Sequence, residues 1–136
     1  MLQLSQELRA SIEQFARAGY PRETCGLILG RQNGGCAEAT RIFSARNLNR
    51  ERAADRYELD PQHFLAADAE ARDAGLEIVG IWHSHPDHPA RPSATDLESA
   101  WEGWSYVIIS VAPDGARELR AWRLADGRFE EEPIVP

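Results

Sequence analysis

Apolar and polar positions along the chain change period several times, and each change marks an element. Residues 5–18 place Leu8, Ile12, Phe15 and Ala16 on one helical stripe, which predicts an amphipathic helix ended by Gly19-Tyr20-Pro21. Thr24 to Gly30 reads as a strand, and Arg31-Gln32-Asn33-Gly34-Gly35 turns the chain into a second strand near 37–44. The charged segment 47–56 is expected to be mobile, with a short strand at Tyr57-Glu58-Leu59. Asp60 as N-cap and Pro61 at the first helical position open a second helix to about Ala74, closed by Gly75. Leu76 to Trp82 is an apolar run that predicts a buried strand, stopped by the prolines that follow. A third helix is expected from about Ser93 to Glu102. Strands follow at 105–112, 117–124 and 128–132, separated by turns at Pro113-Asp114-Gly115 and Ala125-Asp126-Gly127. The order of elements predicts an α/β or α+β sandwich with a mixed sheet between helices. No repeat, linker or low-complexity segment divides residues 1–136, so one domain is expected.

Composition narrows the partners more than the fold. The formal net charge of −7 is spread along the chain, which disfavours nucleic acid and anionic membrane. No apolar run reaches the length of a membrane span, and Met1-Leu2-Gln3-Leu4 has no signal-peptide pattern, so a cytoplasmic location is expected. All 15 basic residues are arginine. With no lysine to accept an isopeptide-linked modifier, a chain that handles such modifiers does so as the enzyme. Cys25 and Cys36 form neither a zinc ribbon nor a redox motif, and Cys25, beside an apolar strand, is expected to be a buried thiol.

The chemistry is concentrated in Ile81-Trp82-His83-Ser84-His85-Pro86 and Ser93-Ala94-Thr95-Asp96. On a strand, His83 and His85 project to one face while Ser84 points away. Two imidazoles about 6–7 Å apart at Cα can lean onto one ion, because zinc–nitrogen bonds are about 2.0–2.1 Å. Asp96 can return a carboxylate oxygen to the same point. Two nitrogens and one oxygen leave a fourth position for water, as in catalytic zinc sites. The plainer reading is that Ser93 caps a helix with Asp96 at N3, and that the histidines are ordinary strand residues. Capping and ligation are compatible, since a carboxylate can accept an N–H and still bind metal. His88 sits in a proline-rich loop and His63 on the second helix; neither is expected to ligate. Cys25 with a nearby histidine would be a cysteine hydrolase, a reading its interior setting opposes.

The string His83-Ser84-His85-Pro86 … Ser93-Ala94-Thr95-Asp96 resembles the signature of the JAMM (MPN-plus) metalloproteases. Pro21-Arg22-Glu23-Thr24-Cys25-Gly26-Leu27-Ile28-Leu29-Gly30 resembles the setting of that family's upstream glutamate. The resemblance covers nearly the whole chain. It implies an MPN fold, a cytidine-deaminase-like mixed sheet flanked by helices. It also implies one Zn2+ per chain on His83, His85 and Asp96, with Glu23 as general base for a zinc-bound water and Ser93 beside the developing oxyanion. The implied activity is a zinc isopeptidase or peptidase acting at the Gly-Gly tail of a ubiquitin-fold sulfur-carrier protein, with a homodimer left open. The alternatives are a metal-free MPN-type scaffold and a zinc amidase acting on small-molecule amides.

Overall fold

The computed structural model describes every residue from Met1 to Pro136. Eight strands form a mixed sheet with three helices: β1 (Leu2–Gln3), α1 (Gln6–Gly19), β2 (Cys25–Asn33), β3 (Cys36–Ala45), α2 (Pro61–Asp73), β4 (Glu77–Pro86), α3 (Ala94–Glu98), β5 (Ser105–Ala112), β6 (Gly115–Ala125), β7 (Arg128–Glu132) and β8 (Ile134–Val135). The strand order is β7-β6-β5-β4-β2-β3-β1-β8. The central pair β4–β5 is parallel, while β2 runs antiparallel to both β3 and β4. Only Pro133 separates β7 from β8, although they end the strand order on opposite sides; the sheet therefore curls until it is nearly closed.

The predicted stripe of α1 covers one face of the sheet. Ile12 and Ala16 are fully buried there with Ile28, Val79, Trp82 and Val107, and Leu8 and Phe15 pack around them. Ala67 and Ala71 of α2 cover the other face with Leu27, Leu29, Ile78 and Ile81. A register shift where β4 passes β2, between Ile28 and Leu29, makes Val79 the extra residue. That bulge flips the alternation, so Ile78 and Ile81 share the α2 face despite their odd spacing. Beyond it the ordinary period resumes, and Ile81, His83 and His85 continue along one side. Gly26 allows this packing: a Cβ there would lie 2.0 Å from the Phe43 carbonyl oxygen and 2.4 Å from the Trp82 indole nitrogen.

Four expectations need correction. β4 does not stop before the prolines but runs through Pro86, which pairs with Val111 of β5. The N–H groups of Ser84 and Asp87 show why: Ser84 donates toward β2, to the Thr24 carbonyl, and Asp87 donates to Val111 of β5. The missing donor of Pro86 thus faces the side where β2 has already ended, and the ladder loses nothing. The third helix is Ala94–Glu98 only, with no buried residue; Leu97 and Trp101 are exposed, so nothing packs to sustain further turns. Tyr57-Glu58-Leu59 is not a strand but contributes one bridge, Asn47 to Leu59. The segment between them is tied down. Asn47 Nδ2 donates to the carbonyls of Glu23 and Arg56, both at 3.0 Å, and its Oδ1 accepts from the N–H groups of Asn49 and Glu58, both at 2.9 Å. The sequence reading also left out β1 and β8, two-residue strands too short to show a period.

Candidate metal centre

The site is built where β4 leaves the core. His83 and His85 stand on the α2 side of the strand and are 1% and 8% exposed. Ser84 points the other way, fully buried, and its Oγ accepts the Thr24 N–H at 2.8 Å while the Thr24 hydroxyl lies 3.1 Å away. The residue between the histidines therefore pins the start of β2, and with it Glu23, against β4. From the other side the Glu23 N–H donates to the Ala53 carbonyl. Glu23 is 3% exposed, so its carboxylate is buried beside the histidines. Tyr57 lies over the His83 ring, with centroids 4.5 Å apart and planes 28° from parallel.

His85 is fixed by its second nitrogen. Nδ1 is 2.9 Å from the Pro89 carbonyl oxygen, which can only accept, so Nδ1 carries the hydrogen. Nε2 then faces Asp96 Oδ2 at 3.1 Å. On a neutral ring that puts a lone pair against a carboxylate, an arrangement that needs a second proton on His85 or a cation between the two groups. Without metal the proton is favoured. Burial opposes the charged ring, but the Asp96 carboxylate and the Pro89 carbonyl outweigh it, and the His85 pKa is raised. Burial opposes the Asp96 charge too, yet the bond to His85, the nearby His83 and the Ser93 N–H bring its pKa down to about 2.

His83 offers the plainer sign of a missing partner. Its Nε2 lies 3.7 Å from Asp96 Oδ1 and its Nδ1 3.3 Å from Glu23 Oε1. The second distance is short enough for a hydrogen bond but the orientation is wrong, and Glu23 Oε1 and both His83 nitrogens are left buried without one. Each such orphan costs about 1–3 kcal/mol. Donor atoms around a tetrahedral zinc sit about 3.3–3.4 Å apart for bonds of about 2.0–2.1 Å, and the two imidazole–Asp96 separations of 3.7 and 3.1 Å bracket that value. Glu23, His83 and His85 also place one donor atom each within 4.8 Å of one another. The two donor sets share the histidines and differ in approach. Asp96 faces Nε2 of both rings, whereas Glu23 meets His83 at its other nitrogen. Either way the residues fit a cation.

Ser93 and Asp96 form the expected capping box, in which Ser93 Oγ accepts the Asp96 N–H at 3.1 Å and Asp96 Oδ2 accepts the Ser93 N–H at 2.8 Å. One carboxylate thus caps α3 and faces both histidines. Two cavities flank it. An apolar one of about 530 Å³ is lined by Tyr57, Leu59, Phe64, Ile81, Trp101 and Trp104, and also by Asp96. A polar one of about 320 Å³ is lined by Glu23, His85 and Ser93 together with arginines. Thr95 borders both.

A family model described as prokaryotic homologs of the JAB domain matches residues 5–125. The chain belongs to this family. Among its relatives is a desampylase from Haloferax volcanii, 36% identical over 128 residues, or 89% of this chain and 87% of the relative. Another is the CysO-cysteine peptidase of Mycobacterium tuberculosis, 32% identical over 135 residues, or 98% and 90%. The solution structure of a protein from Desulfitobacterium hafniense shares the fold with a TM-score of 0.88 at 31% identity, covering 99% of this chain and 92% of that one. The JAB-type fold implied by the sequence resemblance is the fold found.

The other candidates fall outside the centre. His88 is exposed in its loop. His63 Nδ1 accepts the Arg46 N–H at 2.8 Å. Cys25 is wholly buried, and burial followed by the Glu23 charge pushes its thiol up to about 12. An ordinary thiol near 8.5 gains thiolate steeply between pH 7 and 9, whereas Cys25 stays protonated across that range. Iodoacetamide should therefore label half-buried Cys36 in the folded protein and leave Cys25 unlabelled at pH 7, 8 and 9, read by peptide mass spectrometry. Rapid labelling of Cys25 with loss of activity would return the cysteine-hydrolase reading.

The sequence reading missed Ser84, Asn47 and Tyr57 as parts of the centre. Ser84 alone carried a signal, its place between two histidines on the opposite face. No helix of the chain is long and apolar enough to cross a membrane.

Proposed function

We propose that the protein is a zinc peptidase that hydrolyses the amide bond following the Gly-Gly end of a ubiquitin-fold sulfur-carrier protein. The observation that carries this reading is the convergence of two buried imidazoles and a carboxylate, with the buried Glu23 carboxylate beside them. The relatives named desampylase and CysO-cysteine peptidase support the substrate class. His83, His85 and Asp96 hold the metal and Glu23 stands free of it, because Asp96 is the group that faces Nε2 of both rings. When bound, zinc supplies Lewis acidity and lowers the pKa of its water from about 15.7 to about 7.

The chain's own residues do the rest. The Pro89 carbonyl keeps His85 in the tautomer whose Nε2 is free to ligate. Glu23 takes a proton from the attacking water and delivers it to the departing amine nitrogen. Ser93 Oγ already accepts the Asp96 N–H, so its own hydrogen remains to be donated to the scissile carbonyl oxygen as charge builds there. Such a donor is worth roughly 2.7–4 kcal/mol in the transition state. Trp101, 69% exposed in the lining of the apolar cavity, offers the carrier a surface. A cytoplasmic setting is part of the proposal.

The test is cleavage of a carrier extended beyond Gly-Gly, followed by mass spectrometry. Chelation should abolish turnover and zinc should restore it. Ser93→Ala should lose about 100-fold or more in kcat and about 1 kcal/mol of stability from the lost cap. Metal-free protein that cleaves at full rate, or isolated protein that carries iron in place of zinc, would overturn the zinc assignment. Full turnover in Ser93→Ala would restrict that residue to capping.

A further inference from the structure

Arginines concentrate beside the centre in a chain whose net charge is −7. The cavity that contains Glu23, His85 and Ser93 is also lined by Arg52, Arg56 and Arg91. Arg52 is neutralised by a two-pronged bond to Asp55. Arg56 and Arg91 form no ion pair within 4.0 Å and no side-chain hydrogen bond. The charges they feel are the Asp55 carboxylate, which lines the same cavity and is already bonded to Arg52, and Glu118. Their backbones are nonetheless held. The Arg56 carbonyl accepts from Asn47 at 3.0 Å, and its N–H donates to Arg52 at 2.8 Å. Arg91 follows Ala90, whose N–H donates to Glu118 at 3.1 Å and whose carbonyl accepts the Trp122 indole N–H at 3.1 Å. Two guanidinium groups, always charged and in neither a salt bridge nor a side-chain hydrogen bond, are thus set on fixed backbone at the edge of the centre, with Asp55 and Glu118 as their nearby counter-charges.

Resting on the peptidase reading above, we propose that Arg56 and Arg91 receive the α-carboxylate of a single amino acid released from the carrier's Gly-Gly end, so that the enzyme favours a linear C-terminal peptide bond over an isopeptide bond. The placement follows from proton delivery. Hydrolysis adds water across the C–N bond: hydroxyl goes to the glycine carbonyl carbon and hydrogen to the departing nitrogen. Glu23 delivers that hydrogen, so the departing amine lies on its side. Glu23 lines the arginine cavity and not the apolar one. In a linear substrate the departing nitrogen is two bonds from a free carboxylate, which enters the cavity with it. A departing lysine ε-amine brings only methylene groups, and its own carboxyl is distant and bound up in a peptide bond. A cavity of about 320 Å³ is at the small end for a ligand site and suits one residue. Guanidinium groups bind carboxylates in charge-assisted, often two-pronged bonds.

The experiment uses a small sulfur carrier ending in Gly-Gly, made by semisynthesis in three forms: extended by alanine with a free acid, extended by alanine amide, or joined to the ε-amine of a lysine peptide. The zinc-loaded wild type should cleave the acid with kcat/KM about 10- to 100-fold above the amide, the range for a hydrogen bond to a charged group, and above the lysine conjugate. In the R56Q/R91Q double variant that acid-to-amide ratio should collapse toward one. A ratio is insensitive to partial misfolding, because both substrates meet the same enzyme. Cleavage of acid and amide at equal rates by the wild type, or a ratio unchanged in the variant, overturns the assignment. Binding gives a second readout, in which Gly-Gly-Ala acid should shift the side-chain Nε–Hε NMR signals of Arg56 and Arg91 while its amide does not. If no carrier form is cleaved, the peptidase reading fails, and this titration alone decides the carboxylate site; absence of shifts with the acid rejects it.

Discussion

The Asp96→Ala protein is expected to carry almost no zinc, against one ion per chain in the wild type, when both are weighed by native mass spectrometry. Affinity should fall by more than about 100-fold, beyond the 10–100-fold typical of losing a mere supporting residue. Two jobs end together in this variant. Oδ1 no longer faces His83 Nε2, and Oδ2 no longer holds both His85 and the Ser93 N–H. Asp96→Asn separates them, since its carbonyl oxygen can still accept from Ser93 while the charge is gone. It should keep the stability of the cap, about 1 kcal/mol, and lose the metal. Wild-type zinc content in either variant would remove Asp96 from the ligand set.

Acid behaviour follows for the metal-free protein. The lowered Asp96 pKa contributes stability present above the unfolded value of 3.8 and lost as pH falls through about 2. The raised His85 pKa contributes stability present below the unfolded value of 6.5 and lost as pH climbs through its higher folded value. The pair therefore stabilises most between those limits. Zinc should remove the upper one, because a metal-bound imidazole needs no second proton; urea melts at pH 5 and 8, with and without zinc, read this directly.

Glu23→Gln should keep one zinc per chain and lose about 10²–10⁴-fold in kcat, the usual size of a positioned acid–base group. The amide has nearly the same shape, so Ser84 and Asn47 still hold the backbone around it. It removes a buried charge whose Oε1 has no hydrogen bond, so the metal-free variant should melt no lower than the metal-free wild type. Loss of zinc along with activity would make Glu23 a ligand and not a base. That outcome would favour the alternative donor set of Glu23, His83 and His85.

The fold was legible where a period runs long enough to be counted. The α1 stripe, the Asp60-Pro61 start of α2 and the apolar β5 are all where the pattern put them. The two-residue turn at Asp126-Gly127, with φ of 51° and 77°, is what Asp-Gly between strands signals. The limits of α3 were not legible, because its capping box marks a start and only packing decides an end. His83, His85 and Asp96 stood out because a strand period and a helix cap fix their directions locally. Glu23 did not: one glutamate before a strand carries no sign of burial, and only resemblance singled it out. Arg56 and Arg91 lie 35 residues apart and share a cavity only through the fold.

Asn47 has one more consequence. Its amide closes the segment 48–57 at the neck, bonding the carbonyls of Glu23 and Arg56 and the N–H of Glu58. Beyond the neck, Ala53 reaches back to the centre through its carbonyl on the Glu23 N–H, and the tip ahead of it is interchangeable. Doubling the length of a flexible loop costs only about 0.6 kcal/mol once its ends are joined. A longer or differently charged insert can therefore be spliced between Asn49 and Arg52, ahead of the Ala53 carbonyl that accepts the Glu23 N–H, while Glu23 keeps its place. In such a design, selectivity can be rewritten at the rim and the reacting groups inherited unchanged.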